Sequence, residues 1–270
     1  MERWAGCPQS EGPPSECGYA LATESGDIFG FGSAFASQAT PGLFDGHQIV
    51  GMALSPSGQG CWAVSADGQV YTFGDAPWFG SADGGVSTAP VVGMAVLPSG
   101  TGYWLVAADG GVFAYGLARF FGSLGGVQLN ARVVDISASA SGGGYRLVSG
   151  DGGVFCFGDA PFYGSASNAH LSAEVVATAS TGSGQGYWLG TRDGHVLAFG
   201  DAVNLGSPAD LGMSYGDPII GLCAPRLTLG YWTASKAGVV RAFGDVHFLG
   251  TTPPGVLLTP IAGFAAVPST

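Results

Sequence analysis

The chain has 270 residues, 46% of them hydrophobic and 10% charged, with 49 glycines and a formal net charge of −11. That apolar content excludes a disordered chain, and 8 basic against 19 acidic side chains exclude a surface that neutralises nucleic-acid phosphates. Runs such as VVGMAVLP (91–98) and PIIGLCAP (218–225) stop at proline after a strand's length, well short of the roughly 18 apolar residues of a spanning helix, so no membrane span is expected.

Residues 1–16 have no apolar core and read as a leader, not a signal peptide as written. Cys7 and Cys17 flank this proline-rich stretch. A bridge between them would suit an exported protein, as would one from the leader to Cys61, and the spacing does not choose.

From residue 17 the chain repeats itself. A phrase of valine or isoleucine, an aromatic or other bulky residue, a spacer, an aromatic and glycine ends at Gly32, Gly74, Gly116, Gly158, Gly200 and Gly244. The spacings are 42 four times and then 44, with the two extra residues between Ser207 and Pro218. Each unit holds four strand-like pieces, illustrated by VVGMAVLP (91–98), YWLVAA (103–108), GVFAYG (111–116) and the short RFFGS (119–123). The turns between them, PSGTG (98–102) and ADGG (108–111), carry the Asp-Gly and Ser-Gly chemistry of tight hairpins. Four antiparallel strands in about 42 residues make a propeller blade.

The last residues, PIAGFAAVPST (260–270), form only a first strand, and CGYALATESGDIFGFG (17–32) supplies a second and a third. The expectation is an all-β, six-bladed β-propeller over residues 17–270, its ring closed by the C-terminal strand joining the N-terminal blade. A β-solenoid, the main competitor, would need polar capping units at both ends.

The phrase GYWLVAADGGVFAYG (102–116), with FGDAPFYGS (157–165), resembles the glycine-rich propeller repeat of actinobacterial, largely secreted proteins. A more distant likeness is to the repeat of the regulator of chromosome condensation. The first resemblance spans residues 17–270 and implies an extracellular or cell-envelope location. It brings no catalytic residues with it.

Aligned units separate scaffold from exceptions. Ala20, Trp62, Trp104, Arg146, Trp188 and Trp232 form one column, read as packing between blades rather than a sugar platform. Arg146 would need a carboxylate or open water. Acidic columns at Asp67, Asp109, Asp151 and Asp193, and at Asp75, Asp159, Asp201 and Asp245, read as turn hydrogen bonds, since each turn offers calcium too few oxygens.

On the innermost strand the column is Gly51, Gly93, Asp135, Ala177, Gly221 and Gly263. Asp135 therefore needs water, a cation or an arginine, with Arg132 the nearest candidate along the chain. His47, Glu174 and Asp217 stand at the entrances to other inner strands. With Asp135 they could ring a divalent cation, a hard metal or zinc if His47 joins. The variable loops 41–48, 167–174 and 208–217 offer Phe44, His47, His170 and Tyr215 as ligand contacts.

No nucleophile elbow, H-E-x-x-H, C-x-x-C or P-loop occurs, and no catalytic residue is assigned. The expected function is a non-enzymatic extracellular binding module for a cell-wall glycan or a protein partner, as a monomer or as part of a larger protein, with no cofactor. The alternatives are a metal-dependent hydrolase or lyase at the channel mouth, and a structural spacer.

Overall fold

A computed structural model describes residues 18–37, 44, 46–85, 87, 89–212, 216–253 and 255–267. The leader, Cys7, Cys17 and Tyr215 lie outside the described residues.

Two strands come first, β1 (Gly18–Thr23) and β2 (Ile28–Gly32). Three follow in each of five further units. The second unit holds β3 (Ile49–Leu54), β4 (Gly60–Ser65) and β5 (Val70–Gly74). The third holds β6 (Val91–Val96), β7 (Gly102–Ala107) and β8 (Val112–Gly116). The fourth holds β9 (Val133–Ala138), β10 (Gly144–Ser149) and β11 (Val154–Gly158). The fifth holds β12 (Val175–Ser180), β13 (Gly186–Thr191) and β14 (Val196–Gly200). The sixth holds β15 (Ile219–Cys223), β16 (Gly230–Ser235) and β17 (Val240–Gly244), and β18 (Ile261–Ala266) ends the series.

Each unit is an antiparallel sheet of three strands, and β18 pairs with β1 to complete the sheet that β1 and β2 begin. The six sheets fit a six-bladed propeller. The turns form where glycine supplies positive φ, as at Gly100 (φ 70°) between β6 and β7 and Gly110 (φ 81°) between β7 and β8.

The expected fourth strand is reduced to one antiparallel bridge among the described residues, between Ile28 and Ser37 in the first unit; RFFGS (119–123) and its other counterparts form no ladder. The backbone groups of this segment are taken by a tyrosine of the next sheet. Phe121 N–H donates to Tyr145 Oη at 3.2 Å, and that hydroxyl donates to the Gly122 carbonyl at 2.5 Å. The same pair of contacts joins Tyr103 to Phe79 and Gly80, Tyr187 to Tyr163 and Gly164, and Tyr19 to Leu249 and Gly250. Tyr231 likewise donates to Gly206. Cys61 occupies this position in the remaining sheet, as a buried free thiol whose pKa burial pushes up to about 12.

No ladder runs from sheet to sheet among the described residues. Single backbone bonds link them instead, where each second strand ends. Ile49 N–H donates to Glu24 O (3.2 Å), Val91 to Ala66 (2.8 Å), Val133 to Ala108 (2.9 Å), Val175 to Gly150 (2.9 Å), Ile219 to Arg192 (3.1 Å) and Ile261 to Lys236 (3.0 Å).

The core fills the spaces between neighbouring sheets. Trp62, Trp104, Trp188 and Trp232 are at most 1% exposed, so they build the scaffold. Their indole N–H groups donate to the carbonyls of Pro77, Arg119, Val203 and His247 at 2.7–2.8 Å. Arg146 has neither the carboxylate nor the open water expected of it. It is 1% exposed and takes the indole's role: Nε donates to the Pro161 carbonyl at 3.1 Å and a terminal nitrogen to Ser180 Oγ at 3.0 Å. The guanidinium lies 5.0 Å from the centre of the Tyr187 ring, a cation–π contact.

Candidate functional site

The first strands β3, β6, β9, β12, β15 and β18 lie side by side, each against the next, with β18 against β3. Together they line a cavity of about 100 Å³. Small residues allow this approach: a Cβ on Gly263 would stand 2.9 Å from the Met52 side chain, and one on Gly221 2.7 Å from Phe264.

Every first strand carries a bulge at the same place, where its register against the second strand slips by one residue. A bulge re-aims the side chain beside it. Here the extra residues are Val50, Val92, Val134, Val176, Ile220 and Ala262, and all six line the cavity.

Asp135 is the one titratable side chain lining it. The carboxylate accepts the N–H of Ile136 at 2.8 Å and, from the next sheet, the N–H of Thr178 at 2.8 Å. Burial pushes its pKa up to about 7, against the opposing pull of those two bonds. Arg132, the expected partner, turns instead to Glu174 at 3.5 Å.

Above the bulges lies a mouth of about 230 Å³, lined by Val50, Val92, Val134, Val176, Ile219 and Ile220 together with Arg132 and Arg192. Glu174 lies between the two arginines, paired with both. Arg192 was missed in the sequence. Its column reads Glu24, Ala66, Ala108, Gly150, Arg192 and Lys236, so charge among small residues was the available signal. Lys236 and Glu24 face each other at 3.8 Å.

The remaining candidates are dispersed. His47 Nδ1 pairs with Asp67 at 2.8 Å. Although partial burial raises the Asp67 pKa, bonds from Ser65 and His47 leave it below the usual value. Asp217 accepts from Ser235 Oγ at 2.5 Å and from the Ala237 N–H at 2.8 Å, beside a cleft of about 610 Å³ that also touches Lys236, Leu257 and Thr259. His170 is exposed in the loop before β12. Phe44 is buried, its ring 4.6 Å from that of Tyr71, so it packs rather than faces solvent. Among the described residues no three of His, Cys, Asp and Glu gather as a metal-binding group.

On the other side of the sheets the turn carboxylates are occupied by hydroxyls. Asp75 accepts from Ser55 (2.7 Å) and Ser57 (2.5 Å), Asp201 from Thr181 (2.8 Å) and Ser183 (2.5 Å), and Asp159 from Ser141.

A second feature without a signal in the sequence reading lies in the segments that follow the third strands. Trp78, Phe120, Phe162 and Phe248 occupy one repeat position and are 57–60% exposed. The adjacent residues Phe79, Phe121, Tyr163 and Leu249 carry the bonded N–H groups, so each pair turns one large side chain inward and the other to solvent.

No protein-family model matches the chain, and no curated protein matches it. Among solved structures it is similar to a chain in the crystal structure of a nidogen/laminin complex, at 9% identity with a TM-score of 0.59. The match covers 94% of this chain and 99% of the other. At that identity the likeness shows the fold alone, a β-propeller-like one. No helix of the described residues is long and apolar enough to cross a membrane.

Proposed function

We propose that the chain is a non-enzymatic binding module of the cell exterior, a six-bladed propeller closed by β18 on β1, which holds an envelope glycan or a partner protein. The observation that carries this reading is the repeated column Trp78, Phe120, Phe162 and Phe248. Large aromatics this exposed, at one repeat position in four of the six units, with Ala36 and Asn204 in the other two, form a set of equivalent contacts. Flat rings suit stacking on sugars or on apolar side chains of a partner. Repetition lets a polymeric ligand touch several units at once and gain avidity without a deep pocket.

The extracellular location and the kinship with secreted actinobacterial repeats rest on the sequence phrases quoted above. A protein partner has support from the nidogen/laminin complex, in which a chain of similar fold occurs. The metal-dependent hydrolase has less to stand on, because Glu174, Asp217 and His47 are engaged separately by Arg132 and Arg192, Ser235, and Asp67.

The test is sedimentation of the purified protein with insoluble actinobacterial cell wall, with and without EDTA and with soluble glycan competitors. Retention that is insensitive to chelator, competed by glycan and lost in a variant with Trp78, Phe120, Phe162 and Phe248 all changed to Ser supports the reading. Loss of retention in EDTA returns the metal site. Absence of retention removes the cell wall as ligand.

A further inference from the structure

The channel mouth is a different kind of place from the aromatic rim, and the inference drawn from it goes beyond the binding role proposed above. Its floor is apolar: the bulges bring Val50, Val92, Val134, Val176 and Ile220 to one opening, each only half-buried. Its wall is cationic. Arg132 and Arg192 stand over the same opening with about half of each side chain exposed. One carboxylate, Glu174, is shared between two guanidiniums, so donors exceed acceptors. That surplus occurs in a chain with net charge −11 and only 8 basic side chains.

The geometry points to the mouth as a receptor for a carboxylate on a short branched apolar stem, specifically the C-terminal residue of a peptide ending in leucine, isoleucine or valine. Guanidinium forks recognise carboxylates through paired N–H···O bonds. The ring of valines and isoleucine receives the adjacent side chain. Size excludes a whole drug-sized ligand and leaves room for one terminal residue. The opening of about 230 Å³ falls below the roughly 300–1,000 Å³ of pockets that enclose drug-sized ligands. A terminal residue places its carboxylate and side chain on one carbon, which matches a cationic wall meeting an apolar floor.

The experiment is isothermal titration of the intact chain with three probes: an N-acetylated tripeptide ending in leucine, its C-terminal amide, and free 4-methylpentanoate. The tripeptide acid is expected to bind saturably, at least tenfold more tightly than the amide and than the free acid, and less tightly as salt rises. Arg192→Gln and Arg132→Gln, both at exposed side chains, should each weaken the acid at least tenfold and leave the amide unchanged, with Tm within a degree or two of the parent. Equal binding of acid and amide overturns the proposal, as does absence of saturation by ~10 mM. Affinity for the free acid equal to that for the tripeptide overturns the chain-end assignment. A protein that fails these titrations yet is still retained on cell wall through its aromatic rim loses this inference and keeps the binding role. One that binds the peptide acid and ignores cell wall does the reverse.

Discussion

The Asp135 carboxylate reaches across a sheet boundary to accept the backbone N–H of Thr178 at 2.8 Å. No other sheet has a side chain able to make this bond, because the equivalent positions are Gly51, Gly93, Ala177, Gly221 and Gly263. The contact therefore marks one of six otherwise similar junctions, and it titrates.

In an unfolded chain this carboxyl ionises near its ordinary value of 3.8, and in the fold near 7. Between those values the folded state keeps a proton that the unfolded state has released, so this group's contribution to stability falls as pH rises from about 4 to about 7. Asp135→Asn should flatten that part of the profile. The variant is expected to gain on the parent in Tm at about pH 8 and not at about pH 4. Parallel profiles for the two proteins would remove Asp135 as the source.

Arg146 substitutes for tryptophan by donating to the same carbonyl position. Arg146→Trp should restore the repeat's own solution and raise Tm. Arg146→Met should leave the Pro161 carbonyl and Ser180 hydroxyl without their donor and cost about 2 kcal/mol. Thermal melts of both variants at one pH decide the point; a Met variant as stable as the parent would show that the guanidinium contacts carry no weight.

The tyrosine contacts between sheets predict a graded series. Tyr103→Phe keeps the ring and removes both bonds to Phe79 and Gly80, at a cost of about 1–3 kcal/mol if those groups stay dry. Tyr145→Phe and Tyr187→Phe should behave alike, since the geometry repeats. Urea unfolding of the three variants tests this, with a spread of more than ~1 kcal/mol among them counting against equivalence.

Leu117 stands 73% exposed where three other units place an aspartate, Asp75, Asp159 or Asp201, that collects turn hydroxyls. Ser99 and Thr101 already face each other at 2.7 Å in the turn beside it. Leu117→Asp should let Ser99 donate as Ser57 does to Asp75, raising stability by about 0.5–1 kcal/mol. The same variant should melt identically in calcium and in EDTA, because serine and threonine hydroxyls already donate to the equivalent carboxylates.

The strands and their pairing were legible because hairpin chemistry is local: Gly100, Gly110 and their counterparts fall where tight turns need them. The pairing of β18 with β1 was legible from two incomplete units that complement each other. The missing fourth strand was not, since its backbone partner is a tyrosine some 23 residues away in the next sheet. Sequence identified Asp135 and Arg146 as exceptions, but nearness along the chain chose the wrong partner for Asp135, and the expected carboxylate or water for Arg146 proved to be a backbone carbonyl and a hydroxyl. The mouth was half visible. Arg132 and Glu174 were named, whereas the valine ring depends on a bulge that shifts the strand alternation by one residue.

The pairing of β1 with β18 also makes the chain's order of blades arbitrary. Val267 N–H donates to the Gly18 carbonyl at 2.8 Å, so the two ends of the described fold already touch. A circular permutant that joins them through a short linker and opens at the solvent-facing Gly84–Gly85 turn would keep every hydrogen-bonded ladder and every bond between sheets. It would also move the break from inside one sheet to the turn between two. Such a topoisomer separates what the molecule owes to its geometry from what it owes to the direction in which it is synthesised.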